Sequence, residues 1–187
     1  PVLHRVMQSN PTLRYSVSAT TRAIRPGEID GVHYHFVDKP RFEEMIRDGA
    51  LLEHAVYAGN YYGTPEKEVD AALASGISVV LEIEVQGALQ VMQRRPEAIT
   101  IFIAPPSFEE LGRRLAGRGD TDAATAARRL RIAFQECELA KKYQYTVIND
   151  DIDRAVAEFQ AILTAESCRS QYKTIRLKEE NENALSC

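Results

Sequence analysis

Arg22 and Arg25 follow closely on the hydroxyls Ser18, Thr20 and Thr21, in a stretch that also holds the turn formers Pro26 and Gly27. Guanidinium forks bond phosphate oxygens two at a time, and a loop lets both converge on one anion. Solvated surface arginines would leave the same trace. A second group is Glu53 with Gly59-Asn60-Tyr61-Tyr62-Gly63-Thr64. A carboxylate beside an apolar strand is costly to bury unless it accepts good hydrogen bonds, and tyrosines flanked by glycines present hydroxyls where backbone can approach. A β-hairpin with core tyrosines is the plainer account. The third group, Leu81-Glu82-Ile83-Glu84-Val85-Gln86-Gly87, sets two acids at the carboxyl end of an apolar run. Open α/β sheets bind ligands there, although capping of the next helix is an alternative use. In the fourth, Arg113, Arg114, Arg118, Arg128, Arg129 and Arg131 surround the loop Gly117-Arg118-Gly119-Asp120-Thr121-Asp122. That concentration suggests a polyphosphate clamp on a movable lid, while a solvated helix face suits Arg113 and Arg128 better.

These groups need elements to carry them. Apolar periodicity from Val2 to Met7 predicts a helix ending before Asn10-Pro11, followed by a short strand at Tyr15–Ser18 and a turn-forming basic loop from Ala19 to Gly31. Tyr34–Val37 reads as a strand, Pro40–Asp48 as a helix stopped by Gly49, and Leu51–Tyr57 as extended. Pro65 suits the first turn of a helix running to Ser75. Beyond it, apolar runs at Ile77–Ile83, Ile99–Ile103 and Tyr145–Ile148 alternate with helices near Gln86–Arg95, after Ser107, from about Asp122 to Lys142, and from Ile152 to about Cys168. Such alternation predicts an α/β fold, its parallel strands buried on both faces, with the Tyr34–Tyr62 region as an inserted lobe. The polar tail from Ser170 to Cys187 reads as disordered.

Composition bounds the function. The chain has 187 residues, 44% hydrophobic and 27% charged, which fits one globular unit. Its formal net charge of -4 argues against a general grip on nucleic acid or anionic membrane, so any polyanion site must be local. No apolar run of about 18 residues and no signal-peptide pattern is present, and the expectation is a cytoplasmic protein. Cys137, Cys168 and Cys187 lack metal-type spacing and imply neither a disulfide framework nor a zinc site; no metal-ligating set is expected.

Taken in order, Ser16-Val17-Ser18-Ala19-Thr20-Thr21-Arg22, Gly27-Glu28-Ile29-Asp30-Gly31, Gly59-Asn60-Tyr61-Tyr62-Gly63-Thr64-Pro65, Leu81 to Gly87, Pro105-Pro106-Ser107, Gly117-Arg118-Gly119 and Val147-Ile148-Asn149-Asp150-Asp151 resemble the signatures of the guanylate kinases, over roughly Leu13 to Arg169. The resemblance implies a P-loop NTPase-like three-layer α/β/α fold with a parallel core sheet, a GMP-binding lobe and an Arg-rich lid. Its division is a single unit at 1–169, with core 1–18 and 76–169, lobe about 19–75 and lid about 113–129. The implied reaction is phosphorylation of GMP, and of dGMP, by ATP with Mg2+. Arg22, Arg25, Tyr34 and Tyr62 match residues that hold the GMP phosphate, and Ser18, Glu53, Thr64 and Glu84 those around guanine. Arg114, Arg118 and Arg129 match the arginines that close over the transferring phosphates, and Asn149 lies where the family approaches the adenine of ATP.

Two departures accompany the resemblance. Glu84 is one methylene longer than the aspartate usual in the family. The family's Gly-rich phosphate loop, expected immediately before the first helix and carrying the Mg2+ ligand, has no counterpart, because by register Pro1 falls at or beside its last hydroxyl position. An enzyme whose upstream residues were omitted or truncated is favoured over an inactive interaction module. An interaction module would have no reason to keep Arg118 and Arg129 beside an absent ATP, whereas such modules do retain GMP-site features, so Arg22 and Tyr62 alone do not discriminate.

Overall fold

The computed structural model describes residues 2–116 and 123–172, with the side chains of 115, 116 and 123–129 outside the description. Helix α1 (Val2–Ser9) buries Val2, Leu3 and Val6 on one face, the i, i+1, i+4 spacing that a 3.6-residue turn gathers together. Its end is sealed by side chains, as the Asn10 amide donates to the Val6 carbonyl at 2.8 Å and the Ser9 hydroxyl to the same carbonyl at 3.0 Å. The apolar face of α1 meets Val147, Ala155 and Phe159, and Leu13, Tyr15, Val80 and Ile101 pack against the same cluster.

The parallel strands lie beside that core. Strand β1 (Leu13–Tyr15) is followed in the chain by β2 (Ala19–Thr20), β3 (His35–Phe36), α2 (Lys39–Arg47), β4 (Leu51–Tyr57), β5 (Asn60–Pro65), α3 (Glu66–Ala74) and β6 (Ser78–Val80). Then come α4 (Val85–Arg94), β7 (Ile101–Ala104), α5 (Phe108–Ala116), α6 (Ala123–Leu139), β8 (Tyr145–Ile148) and α7 (Ile152–Ser167). β1 pairs with β6 and β7 with β8, both parallel. The run Ile77–Ile83 divides as its period of two requires. Val80 faces the α1/α7 core, while Val79, Leu81 and Ile83 pack with Leu52, Val69 and Val91 beneath α3 and α4. Helices therefore cover the strand on both sides, which makes the α/β/α layering.

Two expectations change here. The core strands form two parallel pairs, with no ladder between β6 and β7 among the described residues. Accordingly these strands are half-buried rather than fully enclosed, and Ile103 and Ile148 remain 38% and 40% exposed.

The four-stranded sheet, in the order β3-β2-β5-β4, carries the candidate residues Glu53, Tyr62 and Thr64, and Ser18, Arg22 and Tyr34 lie within two residues of its strands. The strand expected at Tyr15–Ser18 is instead split. β1 ends at Tyr15, residues 16–18 cross over, and Ala19 and Thr20 pair with Gly63 and Tyr62 of β5. The tyrosine stretch takes the β-hairpin alternative: it is β5, hairpinned to β4 through Ala58 (φ 48) and Gly59 (φ 83). Pro65 closes β5 and is the N-cap of α3 rather than a residue of its first turn. One face of this sheet is covered by α2, whose fully buried Phe42 packs with Ala19 and Leu51 and lies 5.2 Å from the Tyr61 ring. Asp38 caps α2 by accepting from the Arg41 N–H at 2.9 Å, and Pro40 fixes its first turn.

The remaining helices start as the sequence indicates. Ser107 accepts from the Glu110 N–H at 3.1 Å before α5, and Asp151 from the Arg154 N–H at 2.9 Å before α7. Ser170–Tyr172 form a short 3-10 turn; the rest of the polar tail, Cys187 included, lies outside the described residues. No described helix is long and apolar enough to cross a membrane.

Phe42→Ala is expected to cost about 3–5 kcal/mol in urea unfolding, the range for emptying a filled aromatic site. A loss below about 1 kcal/mol would show that α2 is not what holds the four-stranded sheet flat.

Candidate active site

The anion-binding corner is assembled by β2 and β5. Buried Thr20 donates its hydroxyl to the Tyr61 carbonyl at 2.9 Å and accepts from the Arg22 N–H at 3.2 Å. Thr21 closes the same junction, its hydroxyl accepting from the Tyr61 N–H at 3.0 Å. The hydroxyl run that the sequence shows is thus a clamp that delivers Arg22 beside Tyr62. The Arg22 guanidinium lies 5.4 Å from the Tyr34 ring centre and 5.6 Å from that of Phe36, and the Tyr34 and Tyr62 rings meet edge to face at 6.0 Å.

One partner in this corner escapes sequence reasoning. Glu28 takes both forks of Arg22, at 2.7 and 3.0 Å, and accepts from the Arg25 N–H at 2.7 Å. Hydrogen bonding from Arg22, then from the Arg25 backbone, holds the Glu28 carboxyl down at about 2. Arg22 is therefore oriented by an internal carboxylate. The only signal is the six-residue offset inside the turn-rich loop, which the turn at Gly27 (φ 84) converts into a contact. Arg25 itself presents its side chain to solvent at the rim.

A second corner lies further along β5. Glu53 is 3% exposed, and Thr64, directly opposite it across the β4/β5 ladder, donates its hydroxyl at 2.7 Å. Burial pushes the Glu53 carboxyl above the usual carboxylate range, and the bonds from Thr64 only partly offset this. Ser18 precedes the Ala19–Gly63 pair, and its carbonyl accepts from the His35 N–H at 2.9 Å. Glu84 occupies the N-cap position of α4 without capping it through its side chain. Burial raises its carboxyl, and its charge is felt by Glu136 of α6 and by Tyr143. It forms no hydrogen bond to Glu53 or Thr64, so of the guanine-side set it is the member that stands apart. Its neighbour Glu82 accepts from the Tyr15 hydroxyl at 3.2 Å.

The lid set is only partly within the described residues. Arg114 donates from Nε to Glu110 at 2.7 Å, and the same carboxylate takes Arg113 bidentately and is held down at about 2 by Arg113 first, then Arg114. Arg113 is 76% exposed, as a solvated helix face requires. Arg118 lies outside the described residues, and Arg129 is on α6 with its side chain outside them. Asn149 directly follows β8 and extends the ladder by donating to the Ala104 carbonyl at 2.8 Å.

Among the described residues no three His, Cys, Asp or Glu side chains gather as metal ligands. A cleft of about 450 Å³ opens between β1 and α3, lined by Arg14, Ser16, Glu68, Ser75 and Val79 and by none of the candidate site residues.

Comparison with known proteins agrees with this arrangement. A family model described as guanylate kinase matches residues 2–166. The chain is 47% identical over 168 residues to a guanylate kinase of Desulfitobacterium hafniense, covering 90% of this chain and 84% of that one. Against a guanylate kinase of Thermus thermophilus it is 52% identical over 158 residues, covering 84% of this chain and 72% of that one. The crystal structure of guanylate kinase from Anaplasma phagocytophilum superposes with a TM-score of 0.77 at 35% identity, covering 90% of this chain and 82% of that chain. A buried carboxylate and a phosphate-type arginine corner on one sheet, in a chain matched along nearly its whole described length, place this protein in the guanylate kinase family.

Proposed function

We propose that this protein transfers the terminal phosphoryl group of ATP to GMP, and to dGMP, giving the diphosphates. The observation that carries this reading is the spacing of two corners along one strand. Tyr62 and Thr64 are two apart on β5, so they share a face about 7 Å from one another. Tyr62 belongs to the Arg22 corner and Thr64 to the Glu53 corner, a separation suited to the phosphate and the base of one nucleoside monophosphate. Gly63, between them, and Tyr61, which precedes Tyr62, lie on the opposite face beside Phe42.

In this reading Arg22, Arg25, Tyr34 and Tyr62 bind the acceptor phosphate, and residues 19–75 act as a GMP lobe on a core of 1–18 and 76–169. Ser18, Glu53, Thr64 and Glu84 surround guanine. An ionised Glu53 accepts from guanine N1–H and the exocyclic amine together, whereas adenine presents it with an acceptor at N1. Polar groups left unpaired by the wrong base discriminate strongly. No general base is required, because the acceptor phosphate, with a second pKa of about 6, is already largely dianionic. Arg114, Arg118 and Arg129, on a lid at about 113–129, neutralise charge on the transferring group, and Asn149 lies beside adenine. Mg2+, bound with ATP, would supply further positive charge for the transferring group; among the described residues no His, Cys, Asp or Glu cluster forms a site for it. A cytoplasmic setting accords with these substrates.

A coupled assay of the full-length protein is expected to show ATP consumption that depends on GMP and not on AMP, CMP or UMP. Absence of GMP-dependent turnover would overturn the proposal. Glu53→Gln is expected to raise KM for GMP by about 100-fold. The same variant separates recognition from stability. The folded state holds the Glu53 proton more tightly than the unfolded chain does, so stability from this group is full below the ordinary carboxylate pKa and is lost as pH rises through the raised one. The glutamine variant should therefore melt no lower than the parent at neutral pH while binding GMP worse; a variant that melts far lower but binds GMP normally contradicts both statements. Arg118→Ala is expected to lower kcat far more than it weakens GMP binding, and equal losses in the two would remove Arg118 from the transfer step.

A further inference from the structure

Helix α4 presents Gly87, Gln90 and Arg94 along one stripe, the i, i+3, i+7 spacing of a single helical face. All three meet β4, which is the edge of its sheet. Gln90 donates from Nε2 to the His54 carbonyl at 2.7 Å and accepts from the His54 N–H at 3.2 Å, as a neighbouring strand would. Arg94 donates to the carbonyls of Leu51 and Leu52 at 2.6 and 2.8 Å and to Glu66 at 2.7 Å. These bonds fix the distance between α4 and β4. Glu53 lies within the segment they span, with one carboxylate oxygen held by Thr64. Its other oxygen lies against Gly87. A Cβ on that glycine would fall 2.1 Å from Glu53 Oε2 and 2.9 Å from Cδ, and the three nearest atoms it would meet all belong to Glu53.

Glycine inside a helix costs stability relative to alanine, so its place at this contact calls for a reason. Helical backbone here would accommodate alanine, and the space is taken by the carboxylate. We infer that Gly87 is a positioning residue for guanine recognition: its missing side chain leaves the seat in which Glu53 holds its carboxylate toward the base, and Gln90 and Arg94 keep that seat from widening. The inference rests on the reading of Glu53 as the guanine-binding carboxylate. Any side chain at position 87 must turn the carboxylate away from Thr64 or drive α4 off the β4 edge.

The test is a cycle on the full-length protein with Gly87→Ala, Glu53→Asp and the double variant, measuring GMP binding by calorimetry and KM and kcat for both substrates. Gly87→Ala is expected to raise KM for GMP by about tenfold or more, with KM for ATP and kcat within about threefold of the parent. In the double variant the shortened acid no longer reaches the new methyl, so Gly87→Ala should add little to the loss caused by Glu53→Asp. Should Gly87→Ala fail to fold, the double variant is expected to fold, because the clash is with the Glu53 side chain. The inference is overturned if Gly87→Ala binds GMP like the parent, if both substrates lose affinity equally, if the two losses simply multiply, or if neither variant folds. A parent protein that does not bind GMP at all would instead overturn the functional reading, and the inference with it.

Discussion

The structure is organised around a carboxylate that has been taken out of water. Glu53 is almost wholly buried, with a single threonine hydroxyl on one oxygen and helix backbone close to the other. An ionised acid in such a place is costly unless it is bonded, and Thr64 by itself meets only part of its bonding capacity. In the proposed reading that deficit makes the position selective, since a base supplying two donors would restore what burial removed. The surrounding elements are arranged to keep the acid from escaping to solvent. Thr64 faces it across the hairpin, Phe42 anchors the opposite face of the sheet, and α4 closes the edge.

The phosphate corner follows a different rule, in which charge is kept available by being provisionally satisfied. Arg22 is stacked on Tyr34 and Phe36 and forked onto Glu28, and Arg114 leans on Glu110. In a chain of net charge -4, isolated arginines would be drawn toward any nearby acid, and here the acids are placed so that the guanidinium planes stay oriented. In the proposed reading an incoming phosphate would exchange one anion for another without having to order a free side chain.

Legibility in the sequence follows the range of the interactions. Helices α1, α2 and α7 and strand β8 are readable to within about a residue or two at each end, because their caps and apolar spacing are local. Strand β2, two residues long, reads as loop, since nothing in Ala19-Thr20 reveals that it will be held by Tyr61 and Tyr62 forty residues on. β5 is legible only as one arm of a possible hairpin: Gly63 signals a turn by composition, yet a Cβ there would come within 2.9 Å of the Glu53 carbonyl and 3.1 Å of the Phe42 ring. The site residues on this sheet are legible through motif resemblance. Glu28 and Gly87 fall inside two of those motifs but carry no readable role, because each acts on another side chain and shows its purpose only once that partner is in place.

The contact between α4 and β4 has a colloidal consequence as well. A sheet edge with free amides and carbonyls invites a strand from another molecule, and a sheet of four strands has two such edges. Along β4 the backbone groups of residues 51, 52 and 54 are already taken by Gln90 and Arg94. The opposite edge, β3, is only two residues long, too short to template an addition. The face that carries Tyr62 and Thr64 can thus stay open to solvent while the first half of β4 and the short β3 leave a foreign chain little room to pair.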